Sequence, residues 1–177
     1  MADPESVTRR DVPLAEWVAA VTQARDAAYT FFDWLTAVDE TDAAEDAGFD
    51  VVCHLMDVST PGTLRRLVLR TRVPDGVAVP SITGVFKGAA WHERETHEMF
   101  GIAFDGFDDG TGLGLRPLLL PDGFEGTPLR KSFVLAARAS KAWPGAKEPG
   151  ESEHTRTTGG RRRVQAPGVP GPEWGPR

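Results

Sequence analysis

The sequence predicts an α+β domain: an N-terminal helix, a small antiparallel sheet, a charged helix, then an extended loop-rich segment and a disordered tail. Three observations carry this. Apolar residues recur at helical spacing after Pro13, two alternating runs flank the turn Ser59-Thr60-Pro61-Gly62, and Lys87 to Phe100 holds no Pro and no Gly after Gly88 before stopping at Gly101. Taking the elements in order, Leu14, Trp17, Val18, Val21, Ala24 and Ala28 share one helix face, which ends before the aromatic run Tyr29 to Trp34. Asp39 to Gly48 carries five carboxylates and no apolar period, and is expected to be a solvated connection. Gly48 to Val58 and Thr63 to Val73 form the hairpin. In the second strand Leu67, Leu69, Thr71 and Val73 share the cleaner apolar face. Val79 to Phe86 is expected to add a short edge strand, because Pro80 is tolerated at an edge. The charged helix over Lys87 to Phe100 is capped by Gly101. From Ile102 to Val134 Gly and Pro are dense, which predicts extended chain laid over a surface.

Length and charge set the limits. The 177 residues carry a net charge of −6. Residues 1–140 hold 13 Lys and Arg against 22 Asp and Glu, whereas residues 141–177 hold 7 against 4. An acidic body lacks the basic face that displaces phosphate counterions, which argues against nucleic-acid binding. In the tail 13 of 37 residues are Gly or Pro, so it cannot build a core and is expected to order only against a partner. The expected division is therefore 1–140 as the folded domain and 141–177 as a Gly/Pro-rich basic tail. The first twenty residues are interrupted by charges, so no signal peptide is expected, and no apolar run is long enough to span a membrane. Membrane association is expected only through partners.

The single cysteine, Cys53, excludes an internal disulfide and any multi-cysteine zinc or iron-sulfur site. Cys53 and His54 are neighbours on a strand and point to opposite faces, so they form no couple. Nucleotide-loop and nucleophile-elbow motifs are missing, and Gly110 to Gly114 opens no helix. The densest polar cluster is His92-Glu93-Arg94-Glu95-Thr96-His97-Glu98. Its two histidines are five apart, about 140° around a helix, and so fail the HExxH zinc pattern. A carboxylate-rich metal patch on Glu93, His97 and Glu98 is the enzyme alternative, a free-standing metal-dependent hydrolase. Arg94 and Glu98 stand at i,i+4 and are expected to pair across the helix surface.

The order of motifs from Val79 to Lys131 resembles a known family. Val79-Pro80-Ser81-Ile82-Thr83 leads to Trp91-His92-Glu93-Arg94-Glu95 and Glu98-Met99-Phe100-Gly101-Ile102, followed by Leu118-Leu119-Leu120-Pro121 and Pro128-Leu129-Arg130-Lys131. The arrangement is similar to the C-subunit family of respiratory NADH:quinone oxidoreductases (complex I), over about residues 30–135. This chain departs from the family pattern after Phe104. There Gly106-Phe107 and a longer loop replace a Gly-His-Pro motif, Pro117 stands for the second basic residue, and Ser132-Phe133-Val134 replaces an acidic-tyrosine-proline end. Such departures fit a divergent, actinobacterial-like paralogue.

The resemblance implies a cofactor-free peripheral-arm subunit on the cytoplasmic side of the cell membrane. Its partners would be the quinone-site (D-type) and terminal iron-sulfur (B-type) subunits, with iron-sulfur clusters, FMN and quinone all held by partners. Coupled proton translocation would belong to the membrane arm. Glu93, Arg94, Glu95, Glu98, Arg116, Arg130 and Lys131 are the candidate partner-docking residues. The equivalent subunit of a membrane-bound hydrogenase-type complex is the nearer alternative.

Overall fold

In the computed structural model, which describes residues 7–134, four strands form one mixed sheet with both helices packed on its inner face. The elements are β1 (Val7–Asp11), a 3-10 turn (Leu14–Glu16), α1 (Trp17–Asp26), β2 (Phe31–Glu40), β3 (Gly48–Thr60), β4 (Thr63–Val73), β5 (Val79–Pro80), α2 (Ala89–Phe100) and β6 (Phe104–Asp105). The sheet order is β1-β4-β3-β2, and β5 pairs with β6 in a separate two-stranded sheet. The proposed boundary near residue 140 and the tail 141–177 lie outside the described residues.

The hairpin forms where the alternation places it, with Cys53 opposite Leu69 and Leu55 opposite Leu67. Phe49, Val51, Cys53 and Leu55 of β3 face inward with Leu67, Leu69 and Val73 of β4, and all are buried. Trp17, Ala20, Val21 and Ala24 of α1, and Ala89 and Phe100 of α2, complete this core. Alternation in the strands and 3.6-residue spacing in the helices thus converge on one apolar layer, the main favourable term in folding.

Two expectations need correction, and one strand was not foreseen. The sheet is mixed, because β1 pairs in parallel with β4; its sequence, Val-Thr-Arg-Arg-Asp, has no apolar period and all five residues are exposed. The helix ends before the aromatic run, as expected, and that run opens a ten-residue strand, β2, where the sequence assigned no element. A bulge at Asp33 sits between Phe32, opposite Leu55, and Trp34, opposite His54. The extra residue shifts the side-chain parity, so Phe32 and Leu35 share the inner face and the two-residue period is broken in the sequence. Finally, Val79 to Phe86 supplies only the two strand residues of β5; the chain then turns, with the Val85 and Phe86 N–H groups donating to the Ile82 carbonyl.

The C-terminus of α2 follows the sequence. Gly101 takes a left-handed conformation (φ 74°) and its N–H donates to the His97 carbonyl. A Cβ there would lie 3.2 Å from Thr127 Cγ2. Gly101→Ala therefore meets both backbone strain and a close neighbour, and should destabilise the domain by about 1–2 kcal/mol in urea unfolding. An unchanged midpoint would refute this account of the cap.

Candidate functional site

Of the residues singled out from the sequence, Glu93, Arg94, Glu98 and Arg130 tie neighbouring segments to α2, while Arg116 and Lys131 bind away from the helix. Glu93 is fully buried and faces the turn after β5. Its carboxylate accepts from Ser81 Oγ at 2.7 Å and from the Ile82 N–H at 2.7 Å. Burial pushes its pKa up to about 7, with these two hydrogen bonds only partly offsetting the loss of water. Burial also raises the Cys53 thiol, with the Glu93 charge adding to it, as suits an inert core cysteine.

At the next position, Arg94 lies buried with its guanidinium donating to the carbonyls of Arg116 (3.1 Å) and Pro117 (2.7 Å). Glu98 accepts three consecutive main-chain N–H groups, those of Leu118 (3.0 Å), Leu119 (2.7 Å) and Leu120 (3.1 Å). Partial burial works against its charge, but the three donors and the nearby Arg94 charge prevail and hold its pKa below the ordinary value. The expected Arg94–Glu98 ion pair across the helix surface is thus replaced. Both side chains reach across to main chain that needs partners, a stronger use of a charge than an exposed i,i+4 pair.

The same stitching continues downstream. The Leu129 N–H donates to the Met99 carbonyl, and Arg130 Nε donates to the Phe100 carbonyl at 2.6 Å. The Arg130 fork also grips Asp75, at 2.9 and 3.0 Å, and its guanidinium lies over the Phe49 ring. The Lys131 N–H donates to Asp39 and its ammonium pairs with Asp42. Asp39 was expected in a solvated loop, yet it is buried at the end of β2. Burial opposes its charge, but the Thr41 hydroxyl and N–H and the Lys131 N–H outweigh it and keep the pKa low. Arg116 pairs with Asp109, which the Thr111 hydroxyl and Arg116 hold well below the usual carboxylate range.

Glu95 stands apart, exposed and turned by α2 away from this stitching. The metal-patch set does not converge: Glu93 is bound to Ser81 and Ile82, His97 Nδ1 to the Ile102 carbonyl, and Glu98 to residues 118–120. Among the described residues no group of three or more His, Cys, Asp or Glu is placed to hold a metal ion. The result is a segment, residues 116–131, held by its main chain while Leu119, Phe124 and Leu129 remain exposed.

The two sequence motifs are therefore two halves of one device, the helix supplying the charges and the downstream segment the main-chain groups. A family profile covers this whole span: the family described as the respiratory-chain NADH dehydrogenase 30 kDa subunit matches residues 10–139. The chain belongs to this family. Among curated relatives of the 30 kDa family, the NADH-quinone oxidoreductase C subunit of Brucella abortus is 38% identical over 125 residues, 70% of this chain and 58% of that protein. The C subunit of the Mesorhizobium japonicum enzyme is 48% identical over 87 residues, 49% of this chain and 39% of that protein. The chain thus spans about half the length of the curated relatives it matches.

Two solved structures share the fold of this family member. A trypsin-resistant fragment of Nqo5 aligns with a TM-score of 0.53 at 20% identity, over 62% of this chain and 86% of that one. A chain of the membrane-bound sulfane sulfur reductase, an archaeal respiratory membrane complex, aligns with a TM-score of 0.64 at 22% identity, over 86% of each. Both are α+β likenesses of fold. No helix among the described residues is long and apolar enough to cross a membrane.

Proposed function

We propose that this chain is a cofactor-free peripheral-arm subunit of a proton-translocating NADH:quinone oxidoreductase, bound at the cytoplasmic side of the membrane. It scaffolds a quinone-site subunit and a terminal iron-sulfur subunit. Electron transfer runs through FMN, iron-sulfur clusters and quinone held by those partners. Besides family membership, one observation supports this reading: residues 116–131 are fixed to α2 through main-chain hydrogen bonds while Leu119, Phe124 and Leu129 stay exposed. A segment held in place by its main chain while apolar side chains stay exposed has part of its cost of ordering met in advance, which favours docking. Leu119 is 58% exposed and Leu129 54%.

In this scheme Arg94, Glu98, Arg116, Arg130 and Lys131 act by positioning the segment, Glu93 anchors the helix that carries them, and Glu95 meets the partner directly. A tagged chain recovered from detergent-solubilised membranes should bring down the quinone-site and iron-sulfur subunits together. Leu119→Glu should lower the recovered assembly and its quinone reductase activity by about tenfold or more, the scale of an interface anchor. The melting midpoint of the variant should stay unchanged, because Leu119 contributes little to the core. Recovery of a nickel-binding large subunit instead would favour the hydrogenase-type assembly. Full assembly with Leu119→Glu would remove the docking role of the segment.

A further inference from the structure

The helices cover only one face of the sheet. On the other, Val7 and Arg9 of β1, Trp34 of β2, Met56 of β3, and Arg66 and Val68 of β4 surround an open concavity of about 490 Å3. Trp34 stacks on His54 with ring centroids 5.4 Å apart, and His54 Nδ1 is 2.7 Å from Asp33, the bulge residue, so the aromatic floor is fixed in place. A second concavity continues from Arg9 and Val68 toward Val52 and the exposed Val38. The carboxylates on this face are already engaged. Asp11 pairs with Arg70, Asp50 with Arg70 and Arg72, and Asp33 with His54. Arg9 and Arg66 have no carboxylate partner among the described residues.

In a domain whose acids outnumber its bases, two uncompensated arginines at one end of a sheet face are a directed feature. They border apolar and aromatic surface, the composition enriched at protein interfaces. β1 is moreover an edge strand with every residue exposed, which leaves its outer main-chain groups open to an extended chain.

We propose that this outer face receives an acidic, extended segment of a neighbouring subunit, lying along β1 with carboxylates on Arg9 and Arg66 and an apolar side chain against Trp34, Met56 and Val68. The partner's being a subunit of the respiratory assembly rests on the function proposed above. An anionic bilayer or nucleic acid fits less well. Both present flat or regularly spaced phosphates, whereas the cations here are few, interleaved with engaged acids, and set around a side-chain-sized hollow.

The test places a photo-reactive benzoylphenylalanine at Val68 of the full chain, irradiates membranes containing the assembly, and sequences the cross-linked peptide by mass spectrometry. The expected product joins Val68 to another subunit, at a stretch carrying at least two carboxylates. Arg9→Glu with Arg66→Glu should lower its yield about tenfold. Arg25→Gln, on α1 at the other face, should leave it unchanged. Arg9→Gln with Arg66→Gln, a milder pair, should lower it less, and equal melting midpoints of the purified chains show that folding is not the cause. Cross-links only to lipid, to nucleic acid, to a second copy of this chain or to a stretch without carboxylates overturn the proposal, as does a yield indifferent to both arginines. If the tagged wild-type chain recovers no quinone-site or iron-sulfur subunit, it is the assembly that is wrong. If it does recover them and Val68 reaches only lipid, the docking face alone is wrong.

Discussion

Glu98→Ala should release residues 116–131 from α2 while leaving the sheet folded. The carboxylate accepts three main-chain N–H groups in succession, and hydrogen bonds to a charged group each contribute more than neutral ones. Allowing for water to replace part of the loss at a half-buried site, the local cost is about 3 kcal/mol. That corresponds to roughly a hundredfold faster hydrogen exchange at the Leu118, Leu119 and Leu120 amides. Glu98→Gln offers one acceptor oxygen and no charge, and should fall between the two. Because the Glu98 pKa is held below its ordinary value, this contribution is present above the unfolded pKa of 4.5 and disappears as pH falls through the folded value. Unaltered exchange at those amides in Glu98→Ala would mean that the segment holds itself.

The stability of the wild-type chain should decline as pH rises from about 5 to 8, and Glu93→Gln should flatten this limb. Glu93 has an ordinary pKa of 4.5 and a folded pKa of about 7, so the folded state binds its proton more tightly than the unfolded chain does. Its favourable contribution is complete below 4.5 and is lost as pH climbs through 7, a difference of about 3 kcal/mol. Glutamine keeps an acceptor for the Ile82 N–H and can donate to Ser81, without a charge to bury. At pH 8 Glu93→Gln should therefore melt no lower than wild type. Glu93→Ala strands the Ile82 N–H beside a new cavity and should lose about 3 kcal/mol near pH 5, where wild type keeps the whole Glu93 contribution, with the deficit narrowing as pH rises to 8. The depressed acids Asp39, Asp109 and Asp57, the last held low by the Ser59 hydroxyl and N–H and by Arg65, act in the opposite direction, losing stability below about pH 4. A wild-type midpoint that is flat from pH 5 to 8 would show that Glu93 stays ionised in its pocket.

The candidate site was legible as a set of residues but not as an arrangement. Glu93, Arg94, Glu98, Arg130 and Lys131 stand out from sequence because charges at fixed spacing precede and follow a helix stop. What each binds could not be read. Arg94 and Glu98 pair with main-chain groups of residues 116–120, and a main-chain N–H or carbonyl looks alike at every position of a sequence. Asp39 was missed for the related reason that a carboxylate among carboxylates resembles a solvated loop until Thr41 and the Lys131 N–H are brought to it.

By itself the sequence determined the hairpin, both helices and the Gly101 cap, because alternation, helical spacing and a positive-φ glycine are local rules that neighbours in the chain obey. It also determined that Cys53 is core and forms no couple with His54, since adjacent strand residues face opposite ways. Tertiary structure alone decided that Val7–Asp11 becomes a strand, for its five exposed residues are ordered only by parallel pairing with β4. It decided the parity of β2 as well, where the Asp33 bulge carries Phe32 into the core and turns Trp34 to the open face. In both cases the deciding hydrogen bonds come from chain twenty or more residues away, and no local period records them.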